Sequence, residues 1–232
     1  MLERSDSKIY IFLPLITNKN SSPPPLPRSV RRREIELAAK LLYFTHHSGS
    51  SYTLITTVGC FVWGEEGSQR PRAIWRLPEA MKEDVIVGHD AFDGVEVVRF
   101  NDKTMVVTDG TEWEELDRVT MAGVVKEEGG FIVGIRGGKV AVFKKNKGGA
   151  MIEGGEVDVD VGDVVGLEVG KEKVLLIGKG RGVVGGWGRK MKFEVRRTFD
   201  VDGEVWGGGM DEEESKFVVG VREGGGRWDV LE

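Results

Sequence analysis

One cysteine, Cys60, and three histidines are all that this 232-residue chain has of soft metal ligands. A single thiol closes no intramolecular disulfide and builds no cysteine-cluster zinc site. His46, His47 and His89 have no Asp, Ser or Cys at a diagnostic spacing, so the sequence offers neither a catalytic triad nor a metal centre. Long apolar runs are missing as well. The best early one, residues 9–16 (IYIFLPLI), is interrupted by Pro14 and falls well short of the roughly 20 residues a spanning helix needs. Glu3 and Asp6 near the start, and the lack of a small-x-small cleavage site in Thr17-Asn18-Lys19-Asn20, count against a secretory signal. A transit peptide would suit the Ser, Arg and Lys up to Arg33 but not the same two acids. Excess positive charge is lacking too: the net charge is −5, which excludes nucleic-acid binding through the bulk of the surface.

Glycine is what the chain has in abundance, with 34 residues, and all but Gly49 lie beyond residue 50. Five of the seven prolines precede residue 30 and none follows Pro78. This shift sets a boundary near residues 47–51. Residues 1–28 read as a disordered leader in which 21–27 (SSPPPLP) is an extended polyproline-type linker, because proline lacks the N–H and fixes φ. Residues 29–47 read as one amphipathic helix, with Ser29 as N-cap and Leu37, Leu41 and Phe44 three and four apart. Arg31, Arg32 and Arg33 then fall in its first turn, where the helix dipole disfavours cations. They form a candidate partner-binding patch.

From residue 51 the pattern is β. Short β-branched and aromatic runs, among them 52–57 (YTLITT), 95–100 (VEVVRF), 140–143 (VAVF) and 174–177 (VLLI), alternate with Gly, Asp, Asn and Lys. Strands without intervening helices imply an antiparallel sandwich, barrel or propeller. Repetition decides among these. Residues 131–143, 174–187 and 217–228 each hold an apolar strand, a turn of Gly with Arg or Lys, and a strand closing on Phe143, Trp187 or Trp228. Their starts recur every 43 residues, the length of a four-stranded propeller blade. Weaker copies lie around Trp75 and Trp113. The expectation is an all-β, propeller-like array of about four to five short antiparallel sheets over residues 52–232, preceded by the leader and one helix. The last unit runs out before a fourth strand, and 52–57 is the candidate to complete it.

These three segments resemble a WD40-type or other β-propeller repeat, and Trp228-Asp229 forms the WD dipeptide. The Gly-His element is missing from all three; Gly88-His89 stands outside them. The resemblance implies a rigid protein-interaction platform with no chemistry of its own.

Gly180-Arg-Gly182-Val-Val-Gly185 matches the dinucleotide-binding fingerprint, which requires a helix to begin there; Val183, Val184 and Trp187 favour a strand instead, so no cofactor is expected. Asp158, Asp160 and Asp163 lack calcium-loop spacing and read as the solvated face of a strand. The acidic run 211–214 reads as a solubilising loop, opposite in sign to Lys144, Lys145, Lys190, Lys192, Arg196 and Arg197. Cys60 reads as a small buried apolar residue. The six tryptophans read mostly as core, with Trp113 and Trp206 as candidate anchors for a partner. The functional expectation is a non-enzymatic interaction platform or adaptor, with no cofactor or metal, in the cytoplasm or nucleus, with organellar import as the alternative. The rival readings are a propeller enzyme or ligand binder using a central channel, and a partial gene product.

Overall fold

The computed structural model describes residues 2–5, 8–14, 30–36, 39–46, 51–64, 72–127, 131–146, 150–187, 192–211, 213–222 and 227–231. They fall in two compact units, Met1–Glu83 and Asp84–Glu232.

In the first unit, β1 (Leu2–Ser5), β2 (Lys8–Pro14) and β3 (Val30–Glu36) form a three-stranded antiparallel sheet, sheet I. β4 (Leu41–His46), β5 (Ser51–Thr56), β6 (Gly59–Gly64) and β7 (Arg72–Arg76) form a four-stranded antiparallel meander, sheet II. Four expectations are corrected here. Residues 2–5 and 8–14 are paired strands where a disordered leader is expected; the 21–27 linker lies outside the described residues. The expected helix over 29–47 is replaced by β3 and β4. Tyr43, Phe44 and Thr45 have strong strand preferences, and a register shift between Leu41 and Tyr43 puts Leu41 and Phe44 in one cluster, where Leu41 is buried beside Tyr52, Leu54 and Trp63. Phe44, Tyr52 and Trp63 stack across β4, β5 and β6 with ring centroids 5.5 and 5.6 Å apart. The boundary expected near 47–51 falls between two paired strands of one sheet, and the division lies after Glu83 instead. β5 is bonded on both edges, to β4 and β6, so it completes no other sheet.

The second unit repeats one plan. Sheet III holds β8 (Ile86–Phe92), β9 (Val95–Phe100), β10 (Thr104–Thr108) and β11 (Glu112–Glu115). Sheet IV holds β12 (Met121–Val124), β13 (Ile132–Arg136), β14 (Lys139–Lys145) and β15 (Met151–Asp158). Sheet V holds β16 (Val164–Val169), β17 (Lys173–Gly178), β18 (Arg181–Trp187) and β19 (Phe193–Asp200). Sheet VI holds β20 (Glu204–Met210), β21 (Phe217–Arg222) and β22 (Arg227–Leu231). Each is an antiparallel meander in chain order. The 43-residue period therefore lands on one structural position: the three matching segments are the second and third strands of sheets IV, V and VI. The fold is all-β and propeller-like, as the sequence predicts.

Stacking explains the continuous apolar runs. Along β17, Val174 and Leu176 pack with Val133, Ile135, Val140 and Val142 of sheet IV. Leu175 and Ile177 point the other way, to Phe217, Val219 and Val221 of sheet VI. A strand covered on both faces keeps the period of two but has no polar side. Sheets III and IV meet likewise through Val95, Val97 and Val106 against Val124, Ile132 and Ala141. The crossovers to the next sheet plant apolar residues in these seams: Leu116 and Val119, then Val159 and Val161, then Val201, all buried. The aspartate that follows Val159 corrects another expectation. β15 ends at Asp158, and Asp160 lies in the crossover with φ 46°, so the two are not alternate residues of one strand face. The hairpins use the turn chemistry read from the sequence: Asp93-Gly94 (φ 48° and 75°), Asp109-Gly110 (49° and 73°) and Gly137-Gly138 (57° and 80°) all lie in the left-handed region, as two-residue turns between twisted strands require.

Candidate functional site

The first strands of sheets III, IV and V lie side by side, and Gly123 on β12 sets how close they come. A Cβ at that position would stand 2.7 Å from Val169 Cγ2 on β16 and 3.1 Å from Asp90 Oδ2 on β8. Across this gap Asp90 Oδ2 accepts a hydrogen bond from Val124 N at 2.8 Å. Its Oδ1 accepts from Ala91 N at 2.9 Å and from the Lys126 ammonium. Lys126 N in turn donates to Gly170 O at 3.1 Å. Glu168, beside Val169 on β16, completes the group. Desolvation, and after it the negative charge of Asp90, raise the Glu168 carboxyl above the ordinary range, while Lys126 pulls the other way. Lys126 is ion-paired with Asp90 and acts on Glu168 through its charge. The bonds that Asp90 and Lys126 make to Val124 N and Gly170 O hold the three first strands together as a clamp.

At the other ends of the strands the surface opens into a cleft of about 430 Å3, lined by Asp117, Arg118, Arg136, Gly137, Lys139 and Glu156. The crossover from β11 to β12 forms one wall and the β13–β14 hairpin the other. Arg136 is fixed: its Nε donates to Glu156 Oε1 and one terminal nitrogen to Glu153 Oε2, both at 2.7 Å. These bonds, first to Glu153 and then to Glu156, push the guanidinium further into its charged range. Arg118 is the opposite case. Its backbone is left-handed at φ 55°, its side chain is 83% exposed and it meets Asp117 at 3.3 Å, a pairing of little energetic weight in water. Lys139 is exposed on the far wall. The cleft therefore presents two solvated cations over a rigid arginine–glutamate floor.

The residues singled out in the sequence are placed elsewhere. Arg31, Arg32 and Arg33 lie on β3, opposite Leu13, Phe12 and Ile11 of β2, not in the first turn of a helix. Trp113 is on β11 opposite Val107 and is half-buried. Trp206 is on β20, at the point where its register with β21 shifts. The two tryptophans lie on strands of different sheets, III and VI. Gly180 occupies a hairpin turn, and Gly182 and Gly185 lie buried in β18, so the fingerprint opens no helix. His89 is nearly fully buried and its Nε2 stands 2.9 Å from Glu96 Oε2 on β9. Arg118, Arg136 and Lys139 escape the sequence reading. The available signal is the Gly137-Gly138 turn, which matches the Lys179-Gly180 turn of the next sheet.

No family model matches the chain, and no curated protein does. Solved structures do. A functionally unknown protein from Desulfotomaculum acetoxidans is similar at 10% identity with a TM-score of 0.62, over 97% of this chain and 72% of that one. BBS1N, crystallised in complex with ARL6DN, is similar at 13% identity and a TM-score of 0.58, over 95% and 69%. Hsv2 from Kluyvelomyces marxianus follows at 9% identity and 0.53, over 81% and 60%. At such identities the likeness is one of fold, and BBS1N and Hsv2 carry it as β-propeller proteins. What this chain shares with them is the propeller-like arrangement of short antiparallel sheets.

Proposed function

We propose that this protein is a non-enzymatic interaction platform that docks a partner protein at the cleft between the β11–β12 crossover and the β13–β14 hairpin. The observation that carries the reading is the contrast inside the cleft: Arg118 and Lys139 are solvated and uncommitted to the core, while Arg136 is held by two glutamates. Exposed charge above an immobile base favours steering and selective capture of a charged segment, since rim charges act mainly on encounter and specificity. That BBS1N is crystallised with a protein, ARL6DN, agrees with such a use of the fold.

The test is crosslinking capture with the wild-type chain and with the double reversal Arg118→Glu/Lys139→Glu. Both positions are exposed, so far-ultraviolet circular dichroism is expected to be unchanged. The expected outcome is a defined protein partner held by the wild type and lost by the variant. Retention of that partner by the variant, or a saturable thermal shift with nucleotides or small metabolites, would contradict the proposal.

A further inference from the structure

The loop over residues 211–216 joins β20 to β21 and reads in the sequence as a solvated acidic run. The structure gives one of its glutamates a receptor. Glu214 Oε1 accepts from Lys171 N and, at 3.2 Å, from Glu172 N. Its Oε2 accepts from Glu172 N at 3.0 Å and from Lys173 N at 2.7 Å. Three successive amides of the β16–β17 turn thus converge on one carboxylate from a different sheet. Successive N–H groups pointing into one concavity make a fixed positive site that binds oxyanions. Lys173 adds a donor, with its ammonium on the Glu214 carbonyl oxygen.

Two further observations separate receptor from occupant. The turn closes on itself through Gly170 N to Lys173 O at 2.9 Å, a bond that does not involve Glu214. Gly170 also leaves the room the carboxylate takes, because a Cβ there would overlap Glu214 Oε1. The occupant is held in place at some cost. Glu214 sits at φ 54°, a conformation unfavourable for a non-glycine residue, and Asp211 braces it by accepting from Ser215 N at 2.7 Å, Lys216 N at 3.0 Å and Ser215 Oγ at 2.7 Å.

We propose that the 170–173 turn is a carboxylate-binding site for an acidic side chain of a partner protein, and that Glu214 is the chain's own occupant, displaced when the partner's carboxylate enters. The site lies at the opposite strand ends from the Arg118 cleft and shares no residue with it, so either can fail alone.

The experiment follows the backbone amides of Lys171, Glu172 and Lys173 by nuclear magnetic resonance while sodium acetate replaces sodium chloride at constant ionic strength. In Glu214→Ala, and in the closer mimic Glu214→Gln, these three amides are expected to shift saturably. The wild type should need about tenfold more acetate, because a tethered carboxylate competes at millimolar effective concentration. Adding Gly170→Ala fills the concavity and should abolish the response. A short glutamate-rich peptide should reproduce the shifts, and its glutamine counterpart should not. Folded Glu214 variants whose amides ignore acetate would overturn the site. An equal response in the wild type would overturn Glu214 as its occupant, and silence toward the glutamate peptide would overturn the partner side chain as its ligand.

Discussion

Sheets IV and V fill the same layer with opposite allocations of residues. In sheet IV the third strand, β14, carries the bulk: Val140, Val142 and Phe143 are buried, while the fourth strand has Gly154 and Gly155, with Gly155 opposite Val142. In sheet V the glycines move to the third strand and the bulk to the fourth. Gly182 faces Phe199, and a Cβ on Gly182 would overlap that ring. Gly185 leaves the same room for Phe193, which meets Trp187 edge-on with centroids 5.9 Å apart. Volume is conserved across the pair of strands rather than at either position. Close packing asks only that the layer be filled, so a recurring unit can keep its period and lose its residue identities.

Three experiments break or sharpen that comparison. The largest effect is expected for Phe193→Ala, which empties the space over Gly185 at a site 2% exposed. A loss of about 3–5 kcal/mol is expected for such a truncation, read as a lowered midpoint in urea unfolding. Next is Gly182→Ala, which overfills the layer and should cost about 1–3 kcal/mol. In a Phe199→Ala background the same substitution should be markedly milder; strict additivity in the double-mutant cycle would show that the ring and the glycine do not share one space.

The smallest effect concerns the clamp and not the layer. Glu168 has its carboxyl raised in the folded chain, first by desolvation and then by Asp90, so the folded state holds its proton to higher pH than the unfolded state does. Stability contributed by this group therefore grows as pH falls through the folded value and is complete below the unfolded value. Glu168→Gln should flatten that part of the pH–stability curve. A curve identical to the wild type over the weakly acidic range would remove Asp90 and burial as the cause.

How much could be read beforehand follows the same physics. The middle strands were legible because two covered faces force runs such as 174–177, and the hairpins because Asp-Gly and Gly-Gly supply left-handed backbone. The outermost strands were not. β15 and β19 are exposed over residues 152–156 and 194–198, so their sequences obey solubility and read as charged loops. The expected helix over 29–47 failed because Leu41 and Phe44 have a helical spacing that a regular strand would send to opposite faces, and the register shift between Leu41 and Tyr43 in the pairing with β5 brings both to one cluster. Neither Arg118 nor Glu214 carries a local signal. Arg118 matters through a hairpin 18 residues on, and Glu214 through a turn 41 to 43 residues back.

The apolar seams described above each join one sheet to its immediate neighbour: sheet III with IV, IV with V, V with VI. A four-strand cassette of this kind carries its adhesive on both faces and its connector at one corner, in Leu116, Val159 or Val201. Such a cassette can be duplicated, lost or exchanged in the course of descent while disturbing two junctions only. An architecture assembled this way asks for filled seams rather than particular residues, which suits a fold met in chains that share about a tenth of their residues with this one.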